Sequence, residues 1–132
     1  MTLKADAIDT NHAPVAIGPY SQAIRVGLFV FTSGQIPIDP ATGNLVVGGI
    51  VEQTTRVLAN IEAVLAAAGV GFREVVKTTV YLKDLRDFAA MNDLYGRCFS
   101  TEGASAPARS TVQVSALPKD SLIEIDCIAV VA

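Results

Sequence analysis

Arg109 is the residue whose type and setting best suit the recognition of a small anion. It follows Pro107 and Ala108 at the start of an alternating segment, and Thr111 lies on the same polar face two residues further on. A guanidinium can hold a planar carboxylate through two parallel hydrogen bonds. The sequence equally allows Arg109 to pair with a structural acid at the edge of a sheet.

Glu124 is the candidate for proton transfer. It lies inside the strongly apolar segment Leu122–Val131, and Asp126 follows it on the same side of that segment. A carboxylate among apolar neighbours either pairs with a cation or has its pKa raised until it can exchange protons. The alternative is that Glu124 and Asp126 are simply two acids on a solvated sheet face.

Tyr20, Ser33 and Gly34 occur where the chain changes direction, and they could complete a small binding site. Tyr20 follows a Gly-Pro dipeptide and offers a phenolic hydroxyl on a rigid turn, although a half-buried packing role explains it equally well. A ligand can approach the backbone closely at Gly34 because glycine has no Cβ. A bulge or a tight bend is the alternative explanation of this glycine.

Several common catalytic centres cannot be built from this sequence. His12 is the only histidine, and it lies in a polar segment where we expect it to be solvated. Cys98 and Cys127 lie in apolar segments without C-x-x-C spacing, which predicts two buried reduced thiols and a cytoplasmic location. We therefore expect no metal site and no cofactor. Phosphate-binding and serine-hydrolase motifs are also missing.

The composition indicates one small, acidic domain over residues 1–132, with a polar N-terminal tail at residues 1–12. The net charge is −3 and basic residues form no run, which argues against a nucleic acid partner. Hydrophobic residues make up 51% of the chain, but runs such as Ala63–Ala68 are too short to span a membrane. We therefore expect no membrane association, and apolar surface buried against other copies of the chain.

The hydrophobic pattern predicts the element order β-β-α-β-α-β-β. Strand-like segments are Ser21–Val26, Leu28–Ile36, Val75–Leu82, Arg109–Ala116 and Leu122–Val131. Helical periodicity covers about Val51–Ala68, which ends at Gly69, and about Leu85–Phe99, for which Asp84 is the predicted N-cap. This order predicts an α/β (α+β) fold in which a mixed sheet carries both helices on one face. The other face then needs a cover, which a neighbouring subunit would provide.

Longer stretches around these residues resemble the RidA/YjgF family from about Ala13 to Val131. The matching stretches are APVAIGPYSQAI, FTSGQIPIDPATG, VVKTTVYLKDLRDF and APARSTVQVSALPKDSLIEIDCIAV, in that order. The resemblance implies a chorismate-mutase-like fold assembled as a homotrimer with clefts between subunits. It also implies a cofactor-independent deaminase that hydrolyses 2-imino acids and enamines, released by pyridoxal-phosphate enzymes, to 2-keto acids and ammonia.

The resemblance also implies roles for individual residues. Arg109, in the P-A-R motif, would bind the substrate carboxylate, and Glu124, in the I-E-I motif, would position the attacking water. The other matching site positions are Tyr20, Ser33, Gly34 and Asn92. Thr111 stands where many members have a cysteine, which puts thiol-based roles in doubt. Imine hydrolysis does not need a thiol, because water can attack the electrophilic carbon directly.

We expect the strand that carries Arg109 to come from one subunit, and Tyr20, Gly34 and Glu124 to come from its neighbour. Three alternatives remain open: a regulatory protein that binds 2-keto acids, a chaperone-like protein, and a specialised aminoacrylate or aminomuconate deaminase. RNA cleavage, an activity known within the family, is disfavoured by the acidic charge.

Overall fold

Two helices lie side by side on one face of a six-stranded sheet. The computed structural model describes residues 3–131. The helices are α1 (Ile50–Ala67) and α2 (Phe88–Phe99). The strands are β1 (Ala5–Ile8), β2 (Ala23–Val26), β3 (Phe29–Thr32), β4 (Val75–Leu82), β5 (Ala108–Gln113) and β6 (Ile123–Val130).

The sheet is mixed, as the sequence predicts. Its spatial order is β1-β2-β3-β6-β4-β5, so β5 is an edge strand. The pairings are antiparallel except that of β4 with β5, which are parallel and are connected through α2. A parallel pair requires a crossover connection of this kind. The crossover places α2 next to the strand that carries Arg109.

Strand β6 shows why alternation predicts the core. Every second residue of this strand is at most 2% exposed and faces the helices, namely Ile123, Ile125, Cys127 and Ala129. The residues between them are partly exposed on the opposite side of the sheet, which we call the open face. Helix α1 contributes the facing apolar stripe Val57, Leu58, Ile61, Val64 and Leu65. The predicted separation of Glu124 and Asp126 from the apolar side of β6 is confirmed.

The open face carries exposed apolar side chains. Phe29 and Phe31 of β3 are 48% and 42% exposed, and their ring centroids lie 6.1 Å apart. Val112 of β5 is 41% exposed, and the strand register places it on the same face. Grouped apolar side chains of this kind are typical of surfaces that bind another protein. The expectation that this face needs a cover therefore has a structural basis.

The predicted polar tail contains a strand within residues 3–12, because Ala5–Ile8 form β1 and pair with β2; Met1 and Thr2 lie outside the described residues. The chain that follows β1 is anchored by the side chain of Gln22, which is only 2% exposed. Its amide nitrogen donates to the carbonyl oxygens of Thr10 (2.9 Å) and Pro14 (2.8 Å), and its Oε1 accepts from the Thr10 N–H at 2.7 Å. An anchor twelve positions away leaves no periodic pattern in the segment that it holds.

The other elements differ from their predicted bounds mainly at the ends. The predicted helix from Leu85 begins as a 3₁₀ turn, and Asp84 caps it by accepting from the backbone N–H of Arg86 at 2.9 Å. The strands predicted to end at Ile36 and Ala116 are shorter, since β3 ends at Thr32 and β5 at Gln113. Within residues 3–131, no helix combines the length and hydropathy needed to cross a membrane.

Candidate active site

Glu124 lies on the open face of β6, and the backbone at Gly34 packs directly against its side chain. Gln35 and Ile125 exchange backbone hydrogen bonds of 2.8 and 3.1 Å, which hold the segment after β3 beside β6. A Cβ placed on Gly34 would overlap the Glu124 carboxylate, with the carboxyl carbon only 2.8 Å away. Close approach, and not only a bend, therefore explains the glycine at this position.

The environment of Glu124 favours proton exchange. Burial raises the pKa of its carboxyl above the ordinary glutamate value, and the negative charge of Asp126 raises it further. Among residues 3–131 no side chain or backbone donor makes a hydrogen bond to this carboxylate. A partly desolvated carboxylate without a donor binds a proton more readily, which suits a general base that must work near neutral pH.

A cleft of about 630 Å³ opens beside Glu124. Tyr20 and Ser33 line it together with Lys119, and its apolar walls include Val15, Ile17, Ile36 and Ile38. Tyr20 is 52% exposed, and its hydroxyl accepts only a long hydrogen bond, 3.4 Å, from a backbone N–H. The Ser33 hydroxyl donates to the carbonyl oxygen of Ser21 at 2.5 Å, so it holds the turn in place. We call Tyr20, Ser33, Gly34 and Glu124 the glutamate cluster.

Arg109 lies on β5, beneath α2, and two aromatic rings hold its guanidinium. The guanidinium carbon is 4.6 Å from the ring centroid of Tyr95 and 5.3 Å from that of Phe88. Its Nη1 donates to Asn92 Oδ1 at 2.8 Å. Tyr95 is itself fixed, because its hydroxyl shares a buried hydrogen bond of 2.6 Å with Thr78. The guanidinium is thus positioned by contacts that leave its charge unneutralised.

The predicted alternative for Arg109, a structural ion pair, does not occur within the described chain. No carboxylate of residues 3–131 forms a salt bridge with it. Thr111, on the same face, has a buried hydroxyl oxygen that finds no hydrogen-bond partner in this part of the chain. Buried polar atoms normally have hydrogen-bond partners. An unpaired Thr111 hydroxyl on the same strand face as the Arg109 guanidinium, which has no counter-ion here, therefore fits a binding site for an anion. We call Arg109, Asn92 and Thr111 the arginine cluster.

The two clusters lie on opposite faces of the sheet. The alternation predicted for β5 is confirmed, since Arg109 and Thr111 share a face, but that face turns toward α2. Glu124 pairs in register with Tyr81 on the open face, whereas Arg109 pairs with Thr78 on the helix side. The cleft next to Glu124 is lined by no member of the arginine cluster. One chain therefore does not bring Arg109 and Glu124 to the same ligand.

Three residues near the clusters were not identified from the sequence, namely Phe88, Tyr95 and Lys119. Asn92 was matched to a site position, and on α2 Phe88 lies four residues before it and Tyr95 three residues after it. The match of Asn92 could therefore have indicated these two aromatic neighbours. Lys119 lines the cleft with a left-handed backbone, φ 55°, which costs energy in a residue with a side chain. Only the preceding proline hints at this conformation.

The remaining chemistry-bearing residues lie apart from both clusters. His12 is exposed, as expected. Cys98 and Cys127 are free thiols, the first half-buried and the second buried. Burial raises the pKa of the Cys127 thiol to about 12, which keeps it protonated and unreactive. Within residues 3–131, no three of the His, Cys, Asp and Glu side chains are grouped to hold a metal ion.

Comparison with known proteins decides the family. The protein-family model described as Endoribonuclease L-PSP matches residues 10–131. The chain belongs to this family, the YjgF/RidA family. A RutC family protein of Pyrococcus abyssi is 59% identical over 124 residues, which are 94% of this chain and 95% of that protein. The 2-iminobutanoate/2-iminopropanoate deaminase of Capra hircus is 51% identical over 123 residues, 93% of this chain and 88% of that protein.

A solved YjgF/RidA structure gives the same result for the fold. The structure of E. coli TdcF with bound serine has a TM-score of 0.90 and 44% identity, and the match covers 96% of this chain and 99% of that one. The predicted family resemblance and α+β fold are therefore confirmed. Both clusters lie within the residues that match the YjgF/RidA family model.

Proposed function

We propose that this RidA-family protein hydrolyses 2-imino acids and their enamine tautomers to 2-keto acids and ammonia. The observation that carries the proposal is the Arg109 guanidinium, which two aromatic rings and Asn92 position without neutralising it. Such a group suits the carboxylate of a 2-imino acid. The name of the Capra hircus relative describes this reaction, and E. coli TdcF holds an amino acid, serine.

The proposal requires two copies of the chain at each site. The arginine cluster of one copy would meet the glutamate cluster of a neighbour, because a single chain holds the two on opposite faces of its sheet. The exposed apolar side chains of the open face provide a surface for this contact. A homotrimer, with three equivalent clefts between subunits, satisfies both requirements through one repeated interface.

The chemistry needs few groups. Arg109 holds the carboxylate, and Glu124 holds a water molecule next to the C=N carbon. The water oxygen forms a bond to that carbon, the π electron pair moves to nitrogen, and Glu124 accepts the proton. The proton then passes to nitrogen and gives a neutral carbinolamine. Glu124 next takes the hydroxyl proton as the C=O bond forms and delivers it to nitrogen, so the C–N bond breaks with its electron pair on the departing ammonia. Asn92 and Thr111 would steady the polar atoms of the intermediate.

Positioning supplies most of the rate increase in this scheme. The imine carbon is already electrophilic, so no covalent nucleophile is required. Fixing the carboxylate and the water together removes the entropic cost of bringing them into contact. The aromatic support of Arg109 and the packing of Gly34 on Glu124 serve this purpose, because both reacting groups are held in place.

An imine-hydrolysis assay tests the proposed function. An amino acid oxidase would generate the imine from its amino acid, and semicarbazide would trap the imine that remains. We expect the protein to release ammonia faster and to lower the yield of trapped imine, for several amino acids compared in parallel. A 2-keto acid that binds while ammonia release stays at the background rate would overturn the proposal and identify a ligand-binding regulatory protein.

A further inference from the structure

The open face of β6 carries a second acid, Asp126, that has no role in the proposed reaction. Asp126 lies two residues from Glu124 on the same face, which places the two about 7 Å apart along the strand. Tyr81 of β4 pairs in register with Glu124, and its hydroxyl donates to Asp126 Oδ2 at 3.0 Å. Tyr81 therefore lies opposite Glu124 in the sheet and is hydrogen-bonded to Asp126.

This contact makes the two acids unequal. Asp126 accepts a hydrogen bond from Tyr81, whereas Glu124 accepts none within residues 3–131. The pKa of Tyr81 is raised, first by burial and then by its hydrogen bond to Asp126, so its hydroxyl keeps its proton at neutral pH. Neighbouring acids whose surroundings differ in this way usually take different roles.

Few other charged groups face this pair. On β4, Lys77 lies on the same face, and its ammonium donates to Ser110 of β5 at 3.2 Å. Lys83 follows β4 next to Leu122, and its ammonium is paired with Asp120. Lys119 and Tyr20 line the cleft beside Glu124 but make no hydrogen bond or ion pair with it. Helices α1 and α2 lie on the other side of the sheet. Asp126 is therefore the negative charge that acts most directly on Glu124 in this part of the chain.

We propose that Asp126 is a positioning residue for Glu124: the Tyr81 hydroxyl holds its carboxyl group beside the general base, and Asp126 so sets the pH range in which Glu124 exchanges its proton. Glu124 must accept a proton from water and give one up a step later. A base that binds its proton near the ambient pH performs both steps. The catalytic consequence rests on the proposed function, whereas the coupling between the two carboxyls does not.

The pH profile of kcat tests the catalytic consequence. Glu124 must be ionised to accept a proton, so kcat falls as pH drops through its titration. Asp126→Asn removes the neighbouring charge, and we expect the acid limb to move down by about 0.5–1 pH unit, the effect of a unit charge some 7 Å away in a partly solvated site. Asp126→Glu keeps the charge and should restore the limb. Asp6→Asn, on the exposed strand β1, is the control for the same change of charge.

A second readout does not depend on turnover. Carbon-13 NMR of labelled carboxyl groups follows the titration of Glu124 itself, with Glu124→Gln used to assign its signal. We expect the midpoint to fall by the same 0.5–1 pH unit in Asp126→Asn. If the asparagine variant does not fold, Asp126→Ser removes the charge with a smaller side chain and should give the same shift.

The pH profile and the NMR titration together distinguish a failure of the positioning role from a failure of the proposed function. A Glu124 midpoint that stays within 0.2 unit of the starting value in both neutral variants would overturn the positioning role, whatever the activity. Absence of imine hydrolysis in the unsubstituted protein, together with a shifted midpoint, would overturn the proposed function and leave the coupling standing. An acid limb that moves equally in Asp6→Asn and Asp126→Asn would also contradict the proposal, because the effect would then be one of net charge.

Discussion

At the scale of single residues, the contacts of Arg109 matter more than its charge. Tyr95 and Phe88 fix the plane of the guanidinium, and Asn92 occupies one of its nitrogens. The other nitrogens keep their fork geometry for a carboxylate. Because these contacts order the side chain in advance, binding of the proposed substrate carboxylate would cost less conformational entropy.

Replacing Arg109 should therefore cost activity and not stability. Charge-assisted hydrogen bonds contribute roughly 1.5–3 kcal/mol each, so Arg109→Ala should lower kcat/KM on the order of 100-fold or more. Arg109→Lys should fall between the two proteins, since an ammonium keeps the charge but makes a single flexible contact. Steady-state imine hydrolysis and thermal unfolding, measured on the same samples, give the comparison. Full activity in Arg109→Ala would remove the central residue of the proposal.

Glu124→Gln should lower activity while leaving stability equal or higher. The pKa of Glu124 is raised in the folded protein, so folding is penalised as pH rises from the ordinary glutamate range through the raised value, and the penalty is fully present above it. The neutral glutamine escapes this penalty. We expect the variant to have an equal or higher Tm at pH 7, a kcat lowered by about 100-fold or less, and a flat acid limb. An unchanged kcat at saturating substrate would remove Glu124 from the mechanism.

At the scale of elements, alternation and helical periodicity identified every strand and helix that belongs to the core. Strand β4 has the predicted bounds, and β6 differs by one residue at each end, because both strands have one buried and one partly exposed face. Strand β1 was missed because its four residues are mostly exposed. It pairs with β2, and the side chain of Gln22 anchors the residues that follow it; neither contact leaves a local pattern in the sequence of β1.

The candidate residues were predicted one by one, and Arg109 and Glu124 were expected to come from different subunits, but the residue patterns do not show on which face of the sheet each lies. Motifs and residue types indicated Arg109, Glu124 and Gly34, since each has a chemical reason to be where it is. The sequence alone does not tell which side of the sheet a half-polar edge strand turns toward a helix. The opposite placement of Arg109 and Glu124 depends on that choice.

Gln22→Ala tests the account of the N-terminal strand. The substitution leaves backbone groups of Thr10 and Pro14 without their partner in a partly buried place. We expect a loss of about 2–4 kcal/mol in the free energy of unfolding. Hydrogen exchange at the amides of β1 should also become faster.

Gln113→Ala is the matched control, because that side chain accepts a single exposed hydrogen bond, from the Leu85 N–H. Its effect should stay below about 1 kcal/mol. Equal losses in the two variants would mean that Gln22 has no special part in holding β1.

At the scale of the whole molecule, the sheet is covered by helices on one face only. Helices cover one face, whereas Phe29, Phe31 and Val112 remain exposed on the other. The high hydrophobic content of the chain is thus concentrated in part on a single surface. A surface of this kind in a small acidic protein favours self-association.

Phe31→Glu should disrupt that association. A charge on the open face would have to be buried without a partner, which is strongly unfavourable. We expect light scattering to give a mass near 41 kDa, three times the 13.8 kDa chain, for the unsubstituted protein and near 13.8 kDa for the variant. Circular dichroism should show that both are folded, and imine hydrolysis should be lost with the trimer.

Ala66→Glu adds the same side chain to the exposed outer side of α1 and serves as the control. It should remain a trimer with full activity. A single 13.8 kDa species for the unsubstituted protein at micromolar concentration would contradict the assembly proposed for this chain.

If each cleft is shared by two subunits as proposed, the placement of Arg109 and Glu124 on opposite faces of one sheet lets two impaired variants complement each other. Arg109→Ala chains still carry an intact Glu124, and Glu124→Gln chains still carry an intact Arg109. If the two variants are unfolded, mixed in equal amounts and refolded together, roughly a quarter of the clefts receive both functional groups from different chains. The activity of the mixture should then rise well above that of either variant alone, and the size of that increase measures how freely the subunits combine.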